Sequence, residues 1–277
     1  MRVALFQAQT GIDPAANGAE LAARIEEAAA GGAAMLFTPE MSGLLDRDRE
    51  RAGASLRTEA EDPVLAAVRA AAEAAGIWVH LGSLALVGER GGKLVNRGFV
   101  IDHRGEIRAR YDKIHLFDVD LPTGESWRES AAYGGGDRAV LVETPLGPLG
   151  LSICYDLRFA DLYTILSNHG ATSFSIPAAF TVPTGEAHWH VLLRARAIEA
   201  GAFVVAAAQV GRHEDGRSTY GHSLVVDPWG RVVLDMGGER PGLGFAELDL
   251  GLVDEVRERL PAIWHRRPIP APERVRQ

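Results

Sequence analysis

The chain of 277 residues has a single cysteine, Cys154, and only 7% aromatic residues. A lone thiol excludes an intramolecular disulfide and any multi-cysteine metal site, and it fits a reducing compartment. The longest uninterrupted apolar run, Ala202 to Ala208, falls far short of the roughly 18 residues that mark a membrane span. Basic blocks are missing too: 29 Lys and Arg stand against 37 Asp and Glu, a net charge of −8. Neither nucleic acid nor an anionic membrane is therefore an expected partner. Met1-Arg2 leads straight into Val3-Ala4-Leu5-Phe6, too short for a signal-peptide core and without a small-residue cleavage site, so a cytoplasmic location is expected. What remains is 47% apolar and 24% charged residues, the balance of a soluble globular protein in one large domain or two halves.

Arg2 to Gln9 reads as a strand, Gly18 to Ala30 as an amphipathic helix stopped by Gly31-Gly32, and Ala34 to Thr38 as a strand running into Pro39-Glu40. Asp62-Pro63 is a cap and first-turn signal for a helix that reaches Ala75 and ends at Gly76. Strands follow at Ile77 to Leu86, Leu94 to Asp102 and Glu106 to Tyr111. The second half repeats the order, with strands at Val140 to Glu143 and Leu149 to Cys154 and a helix from Phe159 to Asn168. A strand at Thr172 to Ile176, a helix from His188 to Ala200, a strand at Ala202 to Gln209 and a hairpin from Leu224 to Asp235 complete it. VIDHRGEI, Val100 to Ile107, matches VVDPWGRV, Val225 to Val232, although Asp-x-x-Gly is a common hairpin turn in any protein. Two such halves predict an α/β fold: a four-layer α-β-β-α sandwich of two mixed sheets with internal pseudo-two-fold symmetry. One domain is expected over residues 1–264, and His265 to Gln277, with three prolines and four arginines, as an extended tail.

Cys154 ends an apolar strand and is followed by Tyr155-Asp156-Leu157-Arg158 and a helix. A thiol there lies near free backbone N–H groups and the positive end of a helix dipole, which favour the thiolate. A small buried residue at a strand end is the commoner reading of this segment alone. Glu40 follows a short strand through Thr38-Pro39, at a strand end where α/β sites cluster; an exposed loop acid is its alternative. Lys113 sits in RYDKIHLF, Arg110 to Phe117, charged groups interleaved with large apolar ones; a solvated strand end is its alternative. A thiol nucleophile needs a base and an oxyanion stabiliser, and these two residues are the candidates.

FTPEM (Phe37 to Met41), YDKIHLFD (Tyr111 to Asp118) and SICYDLRF (Ser152 to Phe159) together resemble the nitrilase superfamily of carbon–nitrogen hydrolases, in the family's order. SWRES from Ser126, PAAFT from Pro177, His188-Trp189, LRARAIE from Leu193, TYGHS from Thr219, VDPWG from Val226 and HRRP from His265 extend the resemblance over nearly the whole chain. It is nearest the Nit branch, the amidases related to the nitrilase half of Nit–Fhit fusions. The resemblance implies a Glu-Lys-Cys triad falling on Glu40, Lys113 and Cys154, with a further glutamate falling on Glu129. On that pattern Cys154 attacks the amide carbon, while Glu40 takes the thiol proton, passes it to the leaving amine and then activates water against the thioester. Lys113 and the backbone N–H of Tyr155 face the oxyanion, and Glu129 orients the substrate amide and keeps Lys113 charged. Cys154→Ala and Lys113→Ala are both expected to abolish turnover without unfolding the chain.

The resemblance also implies a small amide substrate bearing a carboxylate, no cofactor, and a homodimer or larger homo-oligomer. LRARAIE and Gln209 to His213 lean toward deaminated glutathione, giving 2-oxoglutarate and cysteinylglycine, ahead of 2-oxoglutaramate or succinamate as for an ω-amidase. Arg158 is the candidate for the substrate carboxylate, with a salt bridge to Glu40 or Asp156 as an equal alternative. Phe180 and Thr181 are candidate pocket walls, or ordinary loop packing. His190 departs from the branch, where many relatives carry Glu after His-Trp. His188, His190 and His222 raise a metal centre, yet no Asp, Glu or Cys stands at ligand spacing and a two-apart pair on a helix faces two ways. No metal is expected.

Overall fold

The structure, a computed structural model, describes residues 1–88, 92–120, 124 and 126–275. Its first half runs β1 (Arg2–Gln7), α1 (Pro14–Ala30), β2 (Met35–Phe37), α2 (Arg49–Ser55), α3 (Pro63–Ala75), β3 (Trp78–Val87), β4 (Leu94–Ile101) and β5 (Ile107–Asp112). A small hairpin follows, β6 (Asp118–Asp120) and β7 (Ser126–Arg128), then β8 (Leu141–Thr144), β9 (Gly147–Leu151), α4 (Ala160–Asn168), β10 (Ser173–Ser175), α5 (Val182–Ala200) and β11 (Phe203–Ala206). The chain closes with β12 (Val210–Arg212), β13 (Ser218–Tyr220), β14 (Leu224–Val226), β15 (Val232–Asp235), β16 (Gly242–Glu247) and α6 (Leu252–Arg259).

Two six-stranded sheets form, ordered β16-β1-β2-β3-β4-β5 and β15-β14-β11-β10-β9-β8. Counted from β16 in one and β8 in the other, neighbours pair antiparallel, parallel, parallel, antiparallel, antiparallel in both. The hairpins β4–β5 and β14–β15 repeat down to single hydrogen bonds. Asp102 Oδ1 accepts from the N–H groups of Arg104 and Glu106, and Asp227 Oδ1 from those of Trp229 and Arg231. The sequence match at these two turns is thus a structural repeat.

Alternation along β1 and β2 sets the layers. Val3, Leu5, Met35 and Phe37 join a core shared with Leu149 and Leu151 of the other sheet, whereas Ala4, Phe6 and Leu36 pack with Leu21 and Ile25 of α1 and Leu65 and Val68 of α3. Leu162 and Leu166 of α4 and Trp189 and Leu193 of α5 cover the second sheet. The four-layer α-β-β-α sandwich read from the sequence is the observed fold.

Several boundaries differ. α5 starts at Val182, not His188, because Pro183 occupies the first turn, where its missing N–H leaves no bond unmade. The strand expected to reach Gln209 stops at Ala206, and Gln209 crosses over to bridge Ala8. β16, in Gly- and Pro-rich surroundings, had no local signal, yet it pairs with β1 from Arg2↔Glu247 to Gln7↔Gly242. Residues 265–275 carry no helix or strand, and Arg276 and Gln277 of the expected tail lie outside the described residues.

His80 on β3 is buried between the sheets, with Nε2 3.3 Å from Ser175 Oγ and no partner for Nδ1 among the described residues. Burial pushes its imidazolium down to about 3, whereas the unfolded chain protonates near 6.5. The neutral ring therefore contributes stability that is fully present above about pH 6.5 and is lost as pH falls toward about 3. Urea titrations should show a loss of up to about 5 kcal/mol over that window in excess of the loss in His80→Gln. Parallel pH profiles for the two proteins would refute the assignment.

Candidate active site

Three strand ends deliver the site. Glu40 follows β2 across Thr38-Pro39, and Gly82 of β3 passes so close to this turn that a Cβ would fall 2.1 Å from Thr38 O. Cys154 follows β9 in a left-handed backbone conformation, φ 51°, at the start of the 3-10 turn Cys154–Arg158. For a non-glycine residue this costs about 1–3 kcal/mol and persists only where the surroundings fix it. Here Cys154 N donates to Pro177 O, and Ile153 N to Asp156 Oδ2. Lys113 follows β5 between two residues that both bond the buried Asp156: Tyr111 through its hydroxyl at 2.7 Å, and His115 through N at 3.0 Å and Nδ1 at 2.7 Å. Asp156 thereby locks the lysine segment onto the cysteine turn.

Lys113 Nζ lies 2.9 Å from Glu40 Oε1 and 2.9 Å from Glu129 Oε2, with its side chain only 3% exposed. Asn96 Nδ2 donates to Glu40 Oε1 at 2.9 Å and to Glu129 Oε1 at 3.2 Å. Ala179 N–H donates to Glu40 Oε2 at 3.0 Å, and Phe117 N–H to Glu129 Oε2 at 2.6 Å. Burial alone would push the Lys113 ammonium down, but Glu129 and Glu40 outweigh it and hold the group protonated well above the ordinary lysine range. Burial and the Glu40 carboxylate push the Cys154 thiol well up, with Lys113 opposing them. The turn geometry had suggested a thiolate; in this resting site the proton stays on sulfur, because desolvation and Glu40 exceed the pull of one lysine. Glu40 is the carboxylate that acts on the thiol, and it is the base placed to receive that proton. The Tyr155 N–H precedes the first turn bond, Asp156 N to Ile153 O, and is among the donors that a helical turn leaves without an internal acceptor.

These groups open onto a cavity of about 550 Å³ that Arg158, Phe180 and Thr181 also line. Arg158 pairs with neither Glu40 nor Asp156. Its Nη1 is 3.2 Å from His188 Nδ1, and its guanidinium lies 5.5 Å from the Phe180 ring centre and 5.7 Å from that of Tyr155. Of the other lining arginines, Arg128 and Arg217 are neutralised by Asp120 and Asp215, whereas Arg47 and Arg49 have no ion-pair partner among the described residues. His190 turns away from the cavity toward Asp235. Sequence reasoning missed Asn96, Asp156 and the Ala179 N–H. Asn96 carried a signal, a polar residue at an apolar position of Leu94 to Ile101, while the Ala179 N–H carried none.

The carbon-nitrogen hydrolase family matches residues 2–258. The chain belongs to that family. The deaminated glutathione amidase of Yersinia enterocolitica is 38% identical over 274 residues, covering 96% of this chain and 92% of its own. That of Bos taurus is 41% identical over 270 residues, covering 96% and 82%. The crystal structure of the C. elegans NitFhit protein superposes with a TM-score of 0.88 at 38% identity, covering 96% of this chain and 65% of that one. This hydrolase thus falls in the Nit branch of the nitrilase superfamily and acts on carbon–nitrogen bonds other than peptide bonds. None of its helices, among the described residues, is long and apolar enough to cross a membrane.

Proposed function

We propose that this hydrolase cleaves the amide of deaminated glutathione, giving 2-oxoglutarate and cysteinylglycine, through a thioester on Cys154. The observation that carries the reading is the buried Cys154, Glu40, Lys113 and Glu129 cluster opening onto a cavity with three arginines, Arg47, Arg49 and Arg158, that lack an acidic partner among the described residues. As Sγ bonds to the amide carbon, Glu40 takes the thiol proton, and it returns that proton to the departing amine as the C–N bond breaks. Lys113 and the Tyr155 N–H face the oxyanion, and Glu129 orients the amide. Water, deprotonated by Glu40, then releases the acid and the thiol regains its proton.

Deaminated glutathione has a carboxylate at each end and 2-oxoglutaramate only one, so several arginines in one cavity favour the longer molecule. A coupled assay for released 2-oxoglutarate tests the choice. A higher kcat/KM for deaminated glutathione supports it, and a preference for 2-oxoglutaramate makes the protein an ω-amidase instead. Arg158→Gln should raise KM about 10- to 100-fold through loss of a charge-assisted contact, with kcat little changed. An unaltered KM with a lower melting temperature would assign Arg158 to packing against His188 and Phe180. The same reading places the catalytic domain at residues 1–264 and an extended tail at 265–277, in a cytoplasmic homodimer or larger assembly. Exposed Ile165, Val191 and Ile198 on α4 and α5 support a subunit contact.

A further inference from the structure

A second group of ligand-type side chains lies outside the cavity. His190 on α5, His222 just before β14 and Asp235 at the end of β15 bring one nitrogen or oxygen each to within 4.8 Å of one another. His190 Nε2 is 3.0 Å from Asp235 Oδ2, and His222 Nδ1 is 2.9 Å from Asp235 Oδ1. Their side chains are 32%, 24% and 32% exposed, in the order His190, His222, Asp235, so an ion can enter from solvent. The carboxylate that the sequence reading found missing is Asp235, 45 residues from His190 and brought to it by the β14–β15 hairpin.

We propose that His190, His222 and Asp235 bind one divalent transition-metal ion of borderline softness, with zinc as the type. Two imidazoles and one carboxylate are a ligand set such ions take, leaving a further position for water. In a tetrahedral site, bonds of about 2.0–2.2 Å place neighbouring ligand atoms about 3.3–3.6 Å apart. The two histidine–aspartate contacts, one to each carboxylate oxygen, are a few tenths of an ångström shorter than that spacing, and the third pair, within 4.8 Å, closes by a small rotation of the rings. The imidazoles ligate as neutral rings, protonated at His190 Nδ1 and His222 Nε2, and the ion replaces the two hydrogen bonds to Asp235. The surroundings hold the ligands in place: Gly237 N–H donates to Asp235 Oδ1 at 2.9 Å, and the Tyr220 ring stacks on His222 at 4.4 Å. The bound ion ties α5 to the hairpin beside buried Trp189, whose Nε1 donates to His222 O at 2.8 Å.

Tag-free, chelator-stripped protein titrated with Zn²⁺ by calorimetry should take up one equivalent at this site. Co²⁺ should give visible d–d bands without a thiolate charge-transfer band, which separates the site from Cys154. His190→Gln and Asp235→Asn should each weaken uptake by more than the ~10–100-fold that an outer-shell partner is worth. On the unaltered chain, Zn²⁺ should move the imidazole nitrogen resonances of two of the nine histidines, a readout that does not depend on the variants folding. No uptake, uptake undiminished in Asp235→Asn, or a cobalt spectrum carrying the thiolate band would overturn the proposal and leave a hydrogen-bonded His-Asp-His bridge.

Discussion

Lys113→Ala should lose at least ~10²–10³ of kcat and, unlike most active-site truncations, a large part of the protein's stability. On the proposed mechanism, the rate loss follows from removing one fixed oxyanion donor from a preorganised site. The stability loss follows from what surrounds the ammonium. Glu40 and Glu129 lie 2.9 Å from Nζ with side chains 6% and 12% exposed, so truncation leaves two carboxylates buried without their cation. Breaking a buried pair from one side costs about 3–5 kcal/mol. The expectation that Lys113→Ala leaves the chain folded therefore comes under test as well, because Lys113 closes the ion cluster between Glu40 and Glu129. Urea unfolding and steady-state kinetics together test this. Adding Glu129→Gln to a Lys113→Met background removes one stranded charge and should restore part of the stability while leaving turnover lost, a coupling that a double-mutant cycle reads directly. Lys113→Met that is as stable as the parent would remove the lysine from the ion-cluster role, and one that keeps most of its activity would remove it from the catalytic role.

Cys154→Ala should lower turnover by several orders of magnitude, on the order of 10⁶-fold by analogy with nucleophile deletions in other acyl-transfer enzymes. Here stability should barely change. The thiol is small, and Asp156, not the sulfur, holds the turn through Tyr111, His115 and Ile153. Mass spectrometry of quenched reactions should show an acyl adduct on the parent and none on the variant. Glu40→Gln gives the complementary result, with Cys154 present and turnover lost. Because burial and Glu40 both push the thiol up while Lys113 pulls it down, Glu40→Gln removes one of the two upward causes, and alkylation at neutral pH should speed up in that variant even as turnover is lost. Equal or slower alkylation in Glu40→Gln would mean that Glu40 does not hold the proton on sulfur, against the electrostatics of the site.

Helices and strands with strong local signals were legible. Asp62-Pro63 and Gly76 bracket α3 as read, with Gly76 left-handed at φ 64°, because caps act through neighbours in sequence. The hairpin repeat was legible for the same reason, since the Asp102 and Asp227 turns close on themselves within four residues. β16 was not, since its strand partner among the described residues is β1 at the other end of the chain. α5 was misplaced because Pro183 reads as a breaker unless it is known to sit in the first turn.

The sequence by itself determined the nucleophile candidate, its two carboxylates and its lysine, because single residues at strand ends and their motif contexts are local facts. Only the tertiary structure decided their electrostatics. The protonation of Cys154 and Lys113, the Asn96 contacts that span Glu40 and Glu129, and the meeting of His190 with Asp235 all depend on burial and on charges brought from distant segments. Those quantities arise when water is removed and separate strands pack together, and chain position alone does not encode them.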